Sequence, residues 1–269
     1  MVRRMCWMAA LVVAAAGMPA MGWAQAGNPN DPWCRNSGSS DRAQYCEVRE
    51  MTMVPPGGVL TVNAKPNGSI AITGWDSRDV RIRAKVTAQA DSEEQAQALA
   101  LGVRVNAGGD AIGAGGPKPA DGQSWAVSYE VSVPFDQPLS LVSVNGSLRL
   151  TGIRAAVGFE TVNGSVTVEK AGGKIEGRTQ NGSIKLALDG ERWMGEGLDL
   201  KTQNGSIAVS APERFAAHLE ASTVNGRVGV DLPMTVSEQS RRHLVADLNG
   251  GGTPVRLETM NGSIVVSKQ

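Results

Sequence analysis

Acidic side chains at repeating positions are the residues of this sequence best placed to do chemistry. Glu160 and Glu258 each stand three residues before an Asn-Gly pair. Two carboxylates about 5–10 Å apart can cleave a glycosidic bond, one of them as the acid. In the intervening units, however, the same position holds Arg178, Lys201 and Ser222. We interpret this mixed-charge column as a solvated surface ladder, with a catalytic pair as the alternative.

Other combinations of reactive residues are scarce. Asp76 and Asp79 are close in sequence, but they fall in a predicted turn, where Asp commonly bonds the backbone. The two histidines, His218 and His243, belong to different units, and we interpret them as exposed or packed residues. The sequence contains no G-x-S-x-G, H-E-x-x-H or P-loop motif. We expect no catalytic, cofactor-binding or metal-ligating residues, with a polysaccharide lyase or hydrolase as the alternative.

The first 26 residues predict export. Arg3 and Arg4 precede an apolar run, and Ala24-Gln25-Ala26 matches the A-x-A pattern of a signal-peptide cleavage site. The apolar run is shorter than the ~20 residues of a membrane-spanning helix. We therefore expect a Sec-type signal peptide over residues 1–26. The mature chain should lack a transmembrane span and reside in the periplasm or at the cell surface.

Two cysteines, Cys34 and Cys46, follow the signal peptide. An even pair in an oxidising compartment favours a disulfide, whereas the spacing and the lack of a nearby histidine argue against a metal site or a redox pair. Closing so short a loop would stabilise the fold by about 3 kcal/mol in the chain-entropy model. We predict a disulfide that staples an N-terminal arm, residues 27–56.

One short motif organises the rest of the chain. An Asn-Gly pair, followed by Ser in six cases and by Arg in one, begins at Asn67, Asn145, Asn163, Asn181, Asn204, Asn225 and Asn261. Apolar and polar residues alternate on both sides of the pair, and from Asn145 onward Ser or Thr stands two residues before it. Each unit is thus predicted to be a strand, a corner and a second strand. Asn and Gly both tolerate positive φ, which would suit a tight corner.

Two arrangements satisfy this repeat. In an antiparallel β-meander each Asn-Gly pair closes a hairpin, whereas in a parallel β-helix the corners of consecutive coils stack into an Asn ladder. The 18-residue spacing from Asn145 to Asn163, and again to Asn181, favours stacking because each coil must match its neighbours. We predict an all-β, solenoid-like parallel β-helix over residues 136–269, with the meander as the alternative.

Residues 57–135 form a less regular N-terminal β region. It contains one predicted helix over residues 91–101, in which Ser92 can act as the N-cap with Gln95 as its partner. Its apolar stripe would consist of Ala96, Leu99, Ala100 and Val103. We expect this helix to pack at an end of the sheet.

Three longer connections between later units are candidate binding loops. Relative to the 18-residue spacing, extra residues fall within 189–197, 211–215 and 232–252. Insertions at equivalent connections of consecutive coils map to one side of a solenoid, often the binding side. The residues that would share this edge are Arg192, Trp193, Arg214, Phe215, Arg241, Arg242 and His243. Such a cluster suits a protein or glycan partner, but we favour the alternative that Trp193 and Phe215 fold back onto the core.

The charge balance excludes one class of partner. Lys and Arg number 26, as do Asp and Glu, and removal of Arg3 and Arg4 leaves 24 basic against 26 acidic residues. A broad basic footprint for nucleic acid is therefore lacking. Gly is in excess, with 33 of 269 residues against a usual ~7%. The Asn-Gly corners account for part of that excess.

Together these features resemble the bacterial β-strand-repeat family of candidate adhesins, a domain of unknown function. The resemblance is carried by Asn67 to Asp76, Val131 to Phe135, the Thr-x-Asn-Gly-Ser units from Thr161 onward, and Leu248 to Gly252. It covers about residues 57–269 and implies an exported or envelope-associated β-helix-like domain. We expect a non-catalytic structural or adhesin-like module whose partner is an unknown envelope protein or glycan. A carbohydrate-active β-helix enzyme and a periplasmic sensor accessory are the alternatives.

Overall fold

The computed structural model describes residues 27–35 and 42–269, so the predicted signal peptide lies outside the described residues. The described chain is mostly β-strand, with one α-helix, α1 (Glu93–Gly102), and one turn of 3₁₀ helix at Pro32–Cys34. The side chain of Ser92 accepts a hydrogen bond from the backbone N–H of Gln95 and caps α1. The predicted helix and its N-cap are therefore confirmed.

The strands of the N-terminal half differ widely in length. They are β1 (Ala43–Met53), β2 (Leu60–Asn63), β3 (Ile70–Trp75), β4 (Val80–Ala90), β5 (Arg104–Gly108), β6 (Ala111–Gly115) and β7 (Ser124–Pro134).

The strands of the C-terminal half follow the repeat. They are β8 (Leu139–Val142), β9 (Leu148–Thr151), β10 (Val157–Thr161), β11 (Val166–Glu169), β12 (Lys174–Thr179), β13 (Ile184–Ala187), β14 (Gly197–Asn204), β15 (Ile207–Ala211), β16 (Ala217–Asn225), β17 (Val228–Val230), β18 (Met234–Gln239), β19 (His243–Leu248), β20 (Pro254–Asn261) and β21 (Ile264–Lys268).

These strands form two sheets that share one apolar core. The first sheet has the order β1-β4-β7-β3-β9-β11-β13-β15-β21-β17, and the second has the order β18-β19-β16-β20-β14-β12-β10-β8-β2-β6-β5. Each Asn-Gly unit supplies one strand to each sheet, and strands of neighbouring units pair in parallel, as β10 does with β12 and β11 with β13. The fold is therefore a β-solenoid, and the antiparallel meander is excluded.

The N-terminal half continues both sheets. The first coil consists of β2 and β3, and its Asn67 forms a bridge with Asn145 of the next coil. Beyond β3, the long strands β7, β4 and β1 extend the first sheet. The helix α1 packs against β1 and β4, and its buried residues Ala96, Leu99 and Ala100 join the core. A helix at this end covers apolar surface that no further coil covers.

The coils do not stack in the order of the sequence. The final unit, β20 and β21, pairs with β14 and β15 on one side and with β16 and β17 on the other. Residues 232–252 contain the hairpin β18–β19, which pairs antiparallel with β16 and ends the second sheet. Our prediction that consecutive units form consecutive coils is thus wrong for the last unit. The hairpin β18–β19 lies between Asn225 and Asn261 and pairs with one side of β16, so the final unit pairs with the other side.

Candidate functional site

The seven Asn-Gly corners lie along one edge of the solenoid, where the Asn side chains form a continuous ladder. The side-chain amide nitrogen of every ladder Asn except Asn67 donates to the amide oxygen of its neighbour at 2.7–2.8 Å. The spatial order is Asn67, Asn145, Asn163, Asn181, Asn204, Asn261 and Asn225. Each interior Asn thus donates one of these bonds and accepts another, which holds the coils in register.

A second row of hydrogen bonds lies directly beneath the corners. From Asn145 onward, the hydroxyl two residues before each corner Asn donates to the carbonyl oxygen of the corner glycine in the neighbouring coil, as Thr179 does to Gly164 at 2.9 Å. The other members of this row are Ser143, Thr161, Thr202, Thr223 and Thr259. These side chains are buried. Since a buried hydroxyl needs a partner, this contact explains why Ser or Thr recurs at the position.

The corner glycines are required by close packing rather than by backbone conformation. In the described chain, positive φ occurs at other glycines and not at these seven. A Cβ on Gly164 would overlap the carbonyl oxygen of Gly146, and a Cβ on Gly182 would overlap that of Gly164. The sequence-based argument from positive φ is therefore wrong. Glycine is needed because successive corner backbones approach too closely for a side chain.

At three corners, the serine after the glycine accepts a hydrogen bond from the backbone of the next coil. The hydroxyl oxygen of Ser206 accepts a hydrogen bond from the backbone N–H of Ser263 at 3.2 Å, and Ser69 accepts one from Ser147 at the same distance. Arg227 replaces serine in the unit whose strand, β17, is the edge of the first sheet. An acceptor for a further coil is not needed there. The corner edge is thus occupied by structural contacts.

The outer face of the second sheet offers surface depressions. Adjoining grooves of about 390 and 500 Å³ run across β10, β12 and β14, and a smaller one of about 210 Å³ adjoins them. Outward-facing residues of neighbouring strands form columns across this surface, which we call the charged face. Its charged members are Glu160, Glu176, Arg178, Asp199, Lys201, Glu220, Arg256 and Glu258.

The middle column of the charged face is a run of ion pairs. Its order is Glu160, Arg178, Lys201, Glu258 and Ser222, because the final unit is inserted. Arg178 pairs with Glu160 at 3.1 Å and Lys201 with Glu258 at 3.2 Å. The hydrogen bond to Glu258, together with the nearby charge of Asp199, raises the pKa of Lys201. Glu160 and Glu258 stand three strand spacings apart, about 14 Å, too far for a glycosidase pair.

Another carboxylate pair on the charged face has closer spacing. Glu176 and Asp199 are register partners on adjacent strands, which places their backbones about 5 Å apart. Lys174 lies 2.8 Å from Glu176, and Lys201 lies 3.9 Å from Asp199. One carboxylate oxygen of Asp199 is buried without a hydrogen-bond partner. Sequence reasoning missed this pair because it compared only the position three residues before each Asn; the strand pairing across units would have revealed it.

An uncharged row separates the charged columns from the corners. It consists of the residues directly before each Asn, and in the groove of about 390 Å³ these are Val162, Gln180, Gln203, Met260 and Val224. Met260 is 46% exposed and Val224 is 55% exposed. This groove therefore has one charged wall and one partly apolar wall, a combination typical of binding sites.

The two aromatic residues of the predicted interaction edge belong to the core. Trp193 is 4% exposed and donates from its indole nitrogen to the carbonyl oxygen of Gly173 at 2.7 Å, while Phe215 is 2% exposed. The structure thus shows the alternative that we favoured, in which both rings pack inward. Arg192 and Arg214 remain exposed beside them.

The other members of that predicted edge lie elsewhere. Arg241 and Arg242 form the turn of the β18–β19 hairpin, and His243 begins β19. The carbonyl oxygen of Arg242 accepts from the backbone N–H of Thr223, close to the Asn225 corner. The seven residues therefore do not form one edge. The reason is that the hairpin runs back along β16 and carries its turn to the corner end of the strands.

The remaining candidate residues do not converge on one site. His218 hydrogen-bonds Asp247 at 2.7 Å, and His243 lies 3.7 Å from Glu238. Asp79 follows β3, and its carbonyl oxygen accepts from the Trp75 indole at 2.9 Å. Within residues 27–35 and 42–269, no group of three or more His, Cys, Asp or Glu side chains could hold a metal ion.

The N-terminal arm is fixed to the outer face of the first sheet. Cys34 and Cys46 form the predicted disulfide, which is thereby confirmed. Asp31 pairs with Arg83 at 2.9 Å, and the Trp33 ring lies 5.4 Å from the Arg83 guanidinium and 5.6 Å from the Lys85 ammonium. Among the described residues, no helix is long and apolar enough to cross a membrane.

Comparison with known proteins shows similarity to a family and to solved structures. A family model described as Toastrack DUF4097 matches residues 118–267, whereas no curated protein matches the sequence. A candidate cell adhesion protein from Clostridium sporogenes is 13% identical with a TM-score of 0.39, covering 82% of this chain and 100% of that chain. A candidate adhesin from Bacteroides fragilis is 10% identical with a TM-score of 0.32, covering 82% and 97%. A candidate lipid binding protein from Parabacteroides distasonis is 11% identical with a TM-score of 0.32, covering 82% and 96%.

Proposed function

Given that the chain belongs to the Toastrack DUF4097 family, we propose that it is an exported, non-catalytic interaction module that binds an envelope protein or glycan on the charged face. The observation that carries this proposal is the groove of about 390 Å³ between the charged column and the row containing Met260 and Val224. Such a groove combines polar groups that orient a ligand with apolar surface that contributes affinity.

The corner ladder supports binding because it holds the groove in one shape. Strands β10, β12, β14 and β20 are fixed in register by the Asn amide bonds and by the buried threonine hydroxyls beneath them. A preformed surface loses little conformational entropy when a ligand binds. Side chains repeat across this surface at the ~4.8 Å strand spacing, which suits an extended chain such as a glycan or a peptide segment.

Export is supported by the sequence and by the disulfide. The A-x-A pattern ends at Ala26, and the Cys34–Cys46 bond is of a kind that persists in oxidising compartments. We infer a periplasmic or surface location. Cell fractionation of an epitope-tagged full-length chain tests it: recovery from the cytoplasm with both cysteines reduced would contradict export.

Binding is tested with matched substitutions on the two outer faces. Lys201→Glu and Met260→Ala alter the charged face, whereas Lys185→Glu makes the same charge change on exposed residue Lys185 of the first sheet. The exported protein and its variants are screened on glycan arrays and by crosslinking in intact cells. We expect a ligand that Lys185→Glu retains and that both charged-face variants lose. Retention by all three variants would place the binding surface elsewhere and contradict the proposal.

The pair of Glu176 and Asp199 favours a second candidate, a carbohydrate-active enzyme. Adjacent carboxylates in a groove fit the close spacing of a retaining glycosidase. Incubation with bacterial envelope polysaccharides, followed by measurement of released reducing ends, tests this candidate. Product release that Glu176→Gln and Asp199→Asn both abolish would establish an enzyme and displace the non-catalytic proposal.

A further inference from the structure

The residue that follows the predicted cleavage site lies against a buried carboxylate. Gly27 comes directly after Ala24-Gln25-Ala26, and Glu47 is 3% exposed. A Cβ on Gly27 would overlap the carboxyl carbon of Glu47 and approach both of its oxygens, Oε2 most closely. The neighbouring Asn28 exchanges two backbone hydrogen bonds with Val48, at 2.8 and 3.0 Å. The backbone of Gly27 is therefore held in contact with the Glu47 carboxylate.

The Glu47 carboxylate can accept a further hydrogen bond on the oxygen that faces Gly27. The Arg49 guanidinium donates to Oε1 at 2.7 Å, whereas Oε2 accepts a long bond of 3.4 Å from the Tyr45 hydroxyl. An ionised carboxylate offers about four acceptor sites. Because the Glu47 carboxylate is buried, a further hydrogen bond to Oε2 would stabilise its charge.

We propose that cleavage after Ala26 delivers the new α-ammonium group of Gly27 to Glu47, and that this ion pair locks the N-terminal arm in the mature protein. The signal peptidase of the export machinery hydrolyses the Ala26–Gly27 peptide bond with one water molecule. Ala26 leaves with a carboxylate, and the nitrogen of Gly27 becomes an ammonium group. This nitrogen is bonded to the Cα whose Cβ position overlaps the Glu47 carboxylate, so the new ammonium group forms beside that carboxylate.

The ion pair distinguishes the mature protein from its precursor. In the precursor the same nitrogen is a neutral amide, whereas the ammonium group donates a charge-assisted and therefore stronger hydrogen bond. Glu47 also orients Arg49, which donates to the carbonyl oxygens of Ala100 and Val103 at the C-terminal end of α1. Processing would thus link the new N-terminus, through Glu47 and Arg49, to the helix α1 that packs against β1 and β4.

The inference rests on the export part of the proposed function, and the experiment separates the two. Full-length precursor is exported in bacteria, and intact mass determines the N-terminal residue of the mature protein. A second precursor carries two serines inserted between Ala26 and Gly27, so that cleavage leaves the amine two residues away from Glu47. Both precursors are also made with Glu47→Gln, and urea unfolding is measured for all four mature proteins.

We expect a mature N-terminus at Gly27 and an unfolding equilibrium constant that the serine insertion raises about fivefold to tenfold. In the Glu47→Gln background the insertion should have little effect. The pH dependence gives a second measurement that needs no substitution at Glu47. Pairing with Glu47 raises the pKa of the Gly27 ammonium group above the value of about 8 that an unpaired α-amino group has. The ion pair therefore stabilises the fold fully at pH values below about 8, and this stabilisation is lost as the pH rises through the raised pKa.

Several outcomes would overturn the inference. A mature N-terminus at another residue would contradict the processing site while leaving export intact, and an unprocessed cytoplasmic chain would contradict export itself. If the unfolding equilibrium constant is the same with and without the serine insertion at every pH from 6 to 10, the ammonium group does not pair with Glu47. If the serine insertion destabilises the protein equally with Glu47 and with Glu47→Gln, the effect comes from the lengthened arm and not from an ion pair with Glu47.

Discussion

The side-chain amide of Asn261 donates a hydrogen bond to that of Asn204 across 2.8 Å, although 57 residues separate them in the sequence. On its other side, Asn261 accepts from Asn225, so the final unit stands between two units that precede it in the chain. The ladder is continuous in space because every corner presents the same donor and acceptor. The coil of Asn225 therefore completes its contacts only after the final unit has been inserted.

The first prediction concerns the interior of the ladder. Asn181→Ala removes the bond that Asn181 donates to Asn163 and the bond that it accepts from Asn204, whereas Asn225→Ala removes only one ladder bond. At about 1 kcal/mol for each hydrogen bond, we expect losses of about 2 and about 1 kcal/mol in the free energy of unfolding. Urea unfolding measures both values. Equal losses would show that the ladder does not act through paired amides.

Much of the solenoid could be predicted from the sequence because its signals are local and recur. Alternating residues such as Ile184 and Leu186 indicate strand faces, and the spacing of the Asn-Gly pairs indicates the coils. The stacking order could not be predicted, because the units are so alike that either order satisfies the same pattern. One signal was available: Leu244, Ala246 and Leu248 alternate within the long connection, as expected for a strand rather than a loop.

The candidate site was harder to predict than the fold. Trp193 and Arg242 fall in insertions of the same apparent kind, yet the hairpin β18–β19 separates them in space. The charged face depends on which strands become neighbours, so the pairing of Glu176 with Asp199 follows from the register rather than from composition. The role of glycine was misassigned because its lack of a side chain serves positive φ and close approach equally well.

A second prediction tests the close approach at the corners. In Gly164→Ala the new Cβ would overlap the carbonyl oxygen of Gly146, so the two coils must separate locally. We expect a loss of about 2–3 kcal/mol in the free energy of unfolding, as for other overpacked sites. Gly229→Ala in β17 is the control, because a Cβ there meets no atom within 4 Å. Thermal and urea unfolding should leave the control within about 1 kcal/mol of the parent, and a similar loss in both variants would contradict the packing explanation.

A third prediction separates core residues from binding residues. Trp193→Ala removes a buried ring and its hydrogen bond to Gly173, and we expect it to lower the free energy of unfolding by about 3–5 kcal/mol. Met194, the next residue, is 75% exposed, so Met194→Ala should change stability by less than about 0.5 kcal/mol. Ligand capture by the folded fraction should remain at the parental level in both variants. Loss of capture by folded Trp193→Ala would place a binding site at this connection after all.

The last prediction concerns acid. The backbone N–H of Trp33, reinforced by Arg83, lowers the pKa of Asp31 below its ordinary value. A lowered carboxyl pKa stabilises the fold above the unfolded value of about 3.9, and this contribution is lost as the pH falls through the folded pKa. We expect Asp31→Asn to cost about 0.5–1 kcal/mol at pH 7 and progressively less below pH 4. Urea unfolding at pH 7, 5 and 3 measures the difference, with exposed Asp189→Asn as the control. A difference that stays constant down to pH 3 would show that the Asp31 carboxylate does not hold the arm on the sheet through its charge.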